Sequence, residues 1–252
     1  MEFMRILKPK KYTSNSDIKN DYNKQGFVSI KNYINKKDLI EIKNDINKVC
    51  KFFSKKKDFL SLLNHLDKTN KKKLYHLHLL ISKINSLRIL NSNLSKFNKI
   101  ILPKKNIFYI SDGLLLGLSK DKRLTYEFHQ ETNYMKGFDD ILNIHYPIFH
   151  KSNLKNGSMS ALLGSHKLGK LEFKKSRISD NSYTNLLVKN ISNITKKYEE
   201  VLFELEVGDV VFFHKNLIHK SNFNYSSKPR PVGIGRFSSS VGNFSHVSPD
   251  DL

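Results

Sequence analysis

Residues 208–230 read GDVVFFHKNLIHKSNFNYSSKPR, and this stretch carries most of what the sequence indicates about the fold. A Gly-Asp turn signal precedes the apolar run Val210–His214, which has the length and residue types of a buried strand. His219 follows after a short turn, and Arg230 lies at the start of the next predicted strand. A guanidinium is a planar fork that binds a carboxylate through two hydrogen bonds, and Ser221 adds a hydroxyl donor. The stretch therefore predicts strands that bring a histidine and an anion-binding arginine together.

From residue 107 onward, short β runs alternate with turn residues, and no long helical pattern separates most of them. Such a series is typical of a sandwich or barrel-like double sheet, for example a jelly roll. Residues 169–200 interrupt the series with a segment rich in lysine, serine and asparagine, which we interpret as a lid insertion. The predicted strands are Ile107–Ile110, Leu114–Leu118, Thr125–His129, Ile141–Phe149, Ser158–Leu163, Val201–Val207, Val210–His214 and Pro231–Ser238.

The N-terminal part of the chain has a mostly helical pattern after a short predicted strand at Gly26–Ile30. Asn35 is a predicted N-cap, and the residues after it repeat apolar side chains every three or four positions, which indicates a helix that covers a sheet. We therefore expect a mainly β fold with N-terminal helices, in one domain spanning residues 1–252. Residues 1–106 form its helical support, and residues 107–240 form its jelly-roll core.

A second group of polar residues lies at Phe128-His129-Gln130-Glu131, at the end of a predicted strand. In extended backbone, residues two apart point to the same side, so His129 and Glu131 can bind one ion together. His219 is the best candidate for a third ligand. Two histidines and one carboxylate leave the other positions of an octahedral iron open. The His-x-Glu pair is a weak signal by itself, and the stretch around His219 and Arg230 strengthens it.

Composition excludes several other classes of site. With Cys50 as the single cysteine, an internal disulfide and a thiolate cluster are both impossible, so a metal must be held by histidine and carboxylate. No apolar run is long enough for a membrane helix or a secretion signal, and we expect a cytoplasmic protein. The formal charge of +21 is spread over the chain, which favours a solvated surface over a nucleic-acid groove.

Four blocks of the sequence resemble the phytanoyl-CoA dioxygenase-like (PhyH) family of Fe(II) and 2-oxoglutarate-dependent oxygenases. Gly26–Ile34 looks like the opening strand, and Phe128–Glu131 resembles the proximal metal motif. Asn156-Gly157 followed by Gly164–Gly169 resembles the "NG…PGSHK.G" segment of that family, and Gly208–Arg230 resembles its distal block. The resemblance runs from residue 26 to about residue 238.

The resemblance implies a double-stranded β-helix (jelly roll, cupin-like), with iron bound by His129 and His219 and 2-oxoglutarate anchored by Arg230 with help from Ser221. Family members usually have aspartate at the position of Glu131, so this ligand is one methylene longer here. The aliphatic halogenases of the superfamily lack the carboxylate, and Glu131 therefore argues against halogenation. Tyr146 matches the position of a large aromatic residue that often lines the co-substrate pocket; packing in the core is the equally acceptable interpretation.

The sequence thus indicates an oxidoreductase that uses Fe(II), 2-oxoglutarate and O₂ to hydroxylate an unactivated C–H bond of a small-molecule metabolite. The basic residues Lys170, Lys174, Lys175 and Arg177 lead into the lid and could meet an anionic substrate, although a solvated face is the favoured interpretation. Two other functions stay open. One is a catalytically silent jelly-roll protein that binds a metabolite, if Glu131 fails to support turnover. The other, less favoured, is a basic nucleic-acid-binding protein. The sequence identifies neither the substrate nor the oligomeric state.

Overall fold

Two β-sheets face each other in the computed structural model, which describes residues 4–102, 108–135, 137–138, 140–179 and 183–239. The strands are β1 (Arg5–Leu7), β2 (Phe27–Ile30), β3 (Phe108–Gly117), β4 (Ile141–Pro147), β5 (Met159–Leu162), β6 (Phe173–Ser176), β7 (Asn185–Val188), β8 (Glu200–Phe203), β9 (Val210–His214), β10 (His219–Ser221) and β11 (Arg230–Ser238). The helices are α1 (Asn15–Gln25), α2 (Lys36–Lys51), α3 (Phe59–Thr69), α4 (Lys71–Ile81), α5 (Asn85–Leu94), α6 (Asn98–Ile101) and α7 (Ile191–Thr195).

The large sheet has the strand order β2-β9-β4-β11-β3, and the small sheet has the order β1-β8-β5-β10. Together they form the expected jelly roll, mainly β with N-terminal helices. The N-terminal segment also supplies a strand to each sheet, because β2 pairs with β9 and β1 pairs with β8. None of the helices in the described part of the chain is long and apolar enough to cross a membrane.

Helices α1 to α6 cover the outer face of the large sheet. The N-cap prediction for α2 is confirmed, because the Asn35 side chain accepts a hydrogen bond from the Lys37 amide, and Leu39, Ile42 and Ile46 are buried along one face of the helix. One apolar core unites residues of α1 to α5 with Leu142, Ile144 and Tyr146 of β4 and with Val210 and Phe212 of β9. Alternate residues of the same strands face the space between the sheets, where Val211 and Phe213 join a second core.

Three predicted strands need correction. The runs at Ile107–Ile110 and Leu114–Leu118 belong to one strand, β3, in which the supposed Asp112-Gly113 turn pairs with Gly235 and Ile234 of β11; Ile107 lies outside the described residues. The strand at Thr125–His129 is also absent as a regular element. Its backbone hydrogen bonds are divided, because Tyr126 and His129 bond to β10 whereas Phe128 bonds to Val188 of β7.

The insertion at residues 169–200 contains the hairpin of β6 and β7 and the short helix α7. Val188 of this hairpin joins Leu162 and Ile218 in a small apolar cluster against which Phe128 packs. The insertion therefore lies beside the His129 motif. Its role as a lid stays a prediction.

Candidate metal centre

The three predicted ligands meet inside the jelly roll. His129 and His219 are directly opposite each other in an antiparallel bridge, with reciprocal backbone hydrogen bonds of 3.0 and 3.1 Å. Glu131 Oε1 lies 3.7 Å from His129 Nε2 and 3.6 Å from His219 Nε2. All three side chains are buried, and their ligand atoms lie within 4.8 Å of one another. Nothing in that spacing requires the chain to rearrange before the three groups bind one ion.

Both histidines are held in the tautomer that a metal needs. His129 Nδ1 lies 2.6 Å from the carbonyl oxygen of Glu127, and His219 Nδ1 lies 3.0 Å from that of Leu217. A carbonyl oxygen only accepts, so each Nδ1 donates and each Nε2 keeps its lone pair. Burial, reinforced by His219, lowers the pKa of His129, which keeps this imidazole neutral.

Glu131 has a partner that the sequence analysis missed. Arg236 Nε donates a 2.8 Å hydrogen bond to Glu131 Oε2. Burial alone would raise the pKa of Glu131, but the Arg236 guanidinium outweighs it and holds the pKa well below its usual range. The carboxylate is therefore ionised. Since Arg236 follows Arg230 by an even number of residues on one strand, period-2 alternation was a signal that could have found it.

Gln130, between the two proximal ligands, was also missed. Its side-chain nitrogen donates to the carbonyl oxygens of Gly169 and Asn216, at 2.9 and 2.7 Å, and its side-chain oxygen accepts from the Leu171 amide. One buried amide thus ties the His129 motif to the turn before His219 and to the start of the insertion. The sequence carries no signal for this role, because the three partners are backbone groups remote along the chain.

Arg230 and Ser221 are the residues predicted to bind the co-substrate, and this role stays a prediction. The Arg230 side chain is buried and its Nε donates to the carbonyl oxygen of Asn156 at 3.0 Å, whereas its Nη1 has no hydrogen-bond partner among the described residues. Burial lowers the pKa of Arg230 to about 10. Ser221 lies two residues after His219 on β10, on the same side of the strand. A buried guanidinium with an unpartnered nitrogen is suited to a carboxylate.

The prediction that Tyr146 lines this pocket is corrected, because its ring is on the other face of the large sheet. Tyr146 is fully buried against the helices, and its hydroxyl donates to the side-chain oxygen of Asn91 of α5 at 3.2 Å. The neighbouring residue, His145, points inward instead. Burial, Arg230 and His219 lower the pKa of His145 to about 3, and its Nε2 has no partner within the described part of the chain.

The donor set fits a non-haem iron. Two imidazoles whose Nε2 atoms face the site and one carboxylate suit a divalent first-row metal with open coordination positions, and such a triad is typical of Fe(II) oxygenases. The predicted group of His129, Glu131 and His219 is therefore chemically complete as a ligand set.

Comparisons with known proteins agree with this geometry. The family profile "Phytanoyl-CoA dioxygenase (PhyH)" matches residues 22–232. A search of curated protein sequences gave no significant match.

Among solved structures, the non-heme alpha ketoglutarate-dependent carbocyclase SnoK from nogalamycin biosynthesis is 15% identical, with a TM-score of 0.64, over 96% of this chain and 92% of that chain. The epimerase SnoN, solved with Fe3+, alpha ketoglutarate and nogalamycin RO, is 12% identical, with a TM-score of 0.63, over 89% and 83%. EctD from S. alaskensis, solved with 2-oxoglutarate and 5-hydroxyectoine, is 12% identical, with a TM-score of 0.62, over 96% and 85%.

At these identities the solved structures establish the fold, and the profile match covers most of the sequence. The chain belongs to the phytanoyl-CoA dioxygenase family.

Proposed function

We propose that this protein is an Fe(II) and 2-oxoglutarate-dependent dioxygenase in which His129, Glu131 and His219 hold the iron. The observation that carries the proposal is the buried triad, with both histidines fixed as Nδ1 donors and the carboxylate ionised. Bound Fe(II) would supply the activation of O₂ that accompanies oxidative decarboxylation of 2-oxoglutarate to succinate and CO₂.

Arg230 is proposed to bind the distal carboxylate of 2-oxoglutarate, with Ser221 as an additional donor. The unpartnered Nη1 supports this assignment, because a buried guanidinium nitrogen without a partner is costly unless a ligand satisfies it. His145 Nε2 also has no hydrogen-bond partner among the described residues, and it faces the same interior. These groups would orient the co-substrate, while the burial of the site limits the access of water.

For the reaction itself we propose hydroxylation of an unactivated C–H bond of a small molecule. Glu131 supports this choice over halogenation, since the carboxylate occupies the position that a halide would need. The structural neighbours include an epimerase and a carbocyclase, so the outcome of C–H activation varies within this fold. The exposed Lys174, Lys175 and Arg177 of the hairpin region favour an anionic substrate.

Anaerobic titration tests the proposal directly. The purified protein with Fe(II) and 2-oxoglutarate should develop the weak visible charge-transfer band of a chelated complex. His219→Ala should abolish the band, and His76→Ala, which changes an exposed histidine of α4, should retain it. A wild-type protein without the band, or a band that persists in His219→Ala, would reject the proposal.

A catalytically silent binding protein is the second candidate, because one oxygen of Glu131 is already engaged by Arg236. Turnover separates the two functions. Succinate release that depends on O₂ and is stimulated by a candidate metabolite identifies the enzyme, whereas binding of 2-oxoglutarate without any succinate release identifies the binding protein.

A further inference from the structure

Arg236 belongs to the inner face of the large sheet. On β11, Gly233 and Gly235 lie against Tyr146 and Asn91 on the helix-covered side, so the alternate residues, including Arg230 and Arg236, point between the sheets. Arg236 is opposite Asn143 on β4 and Ser111 on β3. One strand therefore carries two inward arginines.

The two arginines have different surroundings. Arg230 Nη1 has no hydrogen-bond partner in the part of the chain that the structure describes, whereas Arg236 donates a hydrogen bond to Glu131 through Nε and makes a longer contact of 3.4 Å from Nη1 to Ser111 Oγ. Among the lysine and arginine side chains that the structure describes, Arg236 alone is within ion-pair distance of Glu131. Its side chain is 16% exposed, so solvent screens this pair only weakly.

The contact with Arg236 restrains the rotation of the Glu131 carboxylate. The last side-chain torsion of glutamate is broad and determines which oxygen points at a ligand. Here Oε2 is bonded to Arg236, while Oε1 is the atom that lies 3.6 and 3.7 Å from the two Nε2 atoms. The carboxylate therefore directs Oε1 towards the position that the Nε2 atoms of both histidines also face.

We infer that Arg236 is a positioning residue for the metal: it holds Glu131 so that the carboxylate coordinates through a single oxygen. The inference rests on the proposed function, because it concerns the same metal site.

Single-oxygen coordination matters for the number of open positions. Two histidines and one carboxylate oxygen occupy three of the six positions of an octahedral ion. Chelation of 2-oxoglutarate takes two more, which leaves one for O₂. A carboxylate that bound through both oxygens would fill that last position. By keeping Glu131 Oε2 in its own hydrogen bond, Arg236 would leave that last position free.

The test measures metal binding instead of activity. Ni(II) binding is followed by calorimetry, and the visible spectrum of the Co(II) protein reports the coordination number. Arg236→Gln should weaken Ni(II) binding about 10- to 100-fold, the usual effect of removing a group that orients a metal ligand. It should also change the Co(II) spectrum. Arg236→Lys, which keeps the charge, should restore part of the affinity.

Arg123→Gln is the matched control. Arg123 is 15% exposed and pairs with Asp67 and Asp121, which are not metal ligands. This variant should lose stability but keep the wild-type Ni(II) affinity and Co(II) spectrum.

A double-mutant cycle shows whether Arg236 acts through the carboxylate. In a Glu131→Ala background, Arg236→Gln should cause no further loss of Ni(II) affinity. Unchanged affinity and spectrum in Arg236→Gln, or an equal loss in both backgrounds, would overturn the inference. If the wild-type protein binds no metal at all, the proposed function fails first, and the two failures are thereby distinguished.

Discussion

Arg230 combines a full positive charge with burial, an arrangement that is costly without an anionic partner. We expect Arg230→Gln to weaken 2-oxoglutarate binding by roughly 2–5 kcal/mol, because the co-substrate carboxylate would enter a buried site without its counter-charge. Arg230→Lys should lose less, since it keeps the charge but not the planar fork. The 2-oxoglutarate dependence of the charge-transfer band measures both. Arg88→Gln, an exposed change on α5, is the control, and equal affinities in all three variants would contradict the assignment.

His145 predicts how stability changes with pH. Its folded pKa of about 3 lies below the ordinary value of about 6.5, so between these values the unfolded chain binds a proton that the folded chain excludes. Stability therefore rises with pH across that window and is lost on acidification. At pH 5 the loss from this one group is about 2 kcal/mol.

In the metal-free protein, His145→Gln should accordingly lose about 2 kcal/mol less stability between pH 7 and pH 5 than the wild type does. Urea unfolding at the two pH values provides the measurement. His76→Gln, on the exposed side of α4, should leave the wild-type difference unchanged. The same pH dependence in wild type and His145→Gln would show that His145 does not control it.

Functional residues could be identified from the sequence only where they are close together along the chain or belong to a recognisable motif. His129 and Glu131 are two apart, and the block around His219 and Arg230 has a recognisable order of residues. The error at Tyr146 was avoidable, because β4 alternates over residues 142–146 although all its residues are buried. Leu142, Ile144 and Tyr146 are apolar and share the helix-covered face, so period-2 alternation could have placed the polar His145 towards the site instead.

At the scale of elements, the pairing of β4 with β11 depends on a glycine. A Cβ placed on Gly233 of β11 would lie 2.2 Å from Cζ of Tyr146, because the Tyr146 ring extends from β4 over Gly233. Gly233→Ala should therefore destabilise the protein by about 1–3 kcal/mol through overpacking. Gly113→Ala on β3 is the control, because the nearest atoms to its added Cβ are 3.8 Å away. Thermal unfolding of both variants checks the difference, and equal midpoints would refute it.

Tyr146→Phe separates a packing role from a pocket role. The change removes one buried hydrogen bond to Asn91 and should cost about 1 kcal/mol of stability. Because the ring faces the helices, 2-oxoglutarate affinity should stay at its wild-type value. A variant with normal stability and weakened 2-oxoglutarate binding would show that Tyr146 contributes to the co-substrate pocket instead.

Helix α2 was predictable as an element because its periodicity and its Asn35 cap are local signals. Strand β3 was divided in the prediction, because an Asp-Gly pair usually marks a turn, and here tertiary pairing with β11 overrides it. The extended segment before His129 makes backbone hydrogen bonds to both β10 and β7. Because these strands are remote in sequence, local patterns could not predict that it forms no regular strand. Elements were thus predictable where local patterns determined them.

At the scale of the molecule, the helical N-terminal region and the jelly roll share one core. Leu142 and Ile144 of β4 and Phe212 of β9 are buried in the same cluster as Ile42, Leu63 and other residues of the helices. The N-terminal segment also provides β1 and β2, one strand for each sheet. This continuity supports one domain for residues 1–252, which stays a prediction.

A chain that begins at residue 103 should therefore fail to fold. It would lose β1 and β2 and would expose the outer face of the large sheet, where each side chain such as Leu142 or Phe212 contributes about 1.5–3 kcal/mol by burial. A few such losses equal the whole stability of a typical domain, which is about 5–15 kcal/mol. We expect the truncated chain to show neither a cooperative urea transition nor Ni(II) binding, whereas the full chain should show both. A cooperative transition in the truncated chain would instead establish residues 103–252 as an independent domain and the helices as a separate unit.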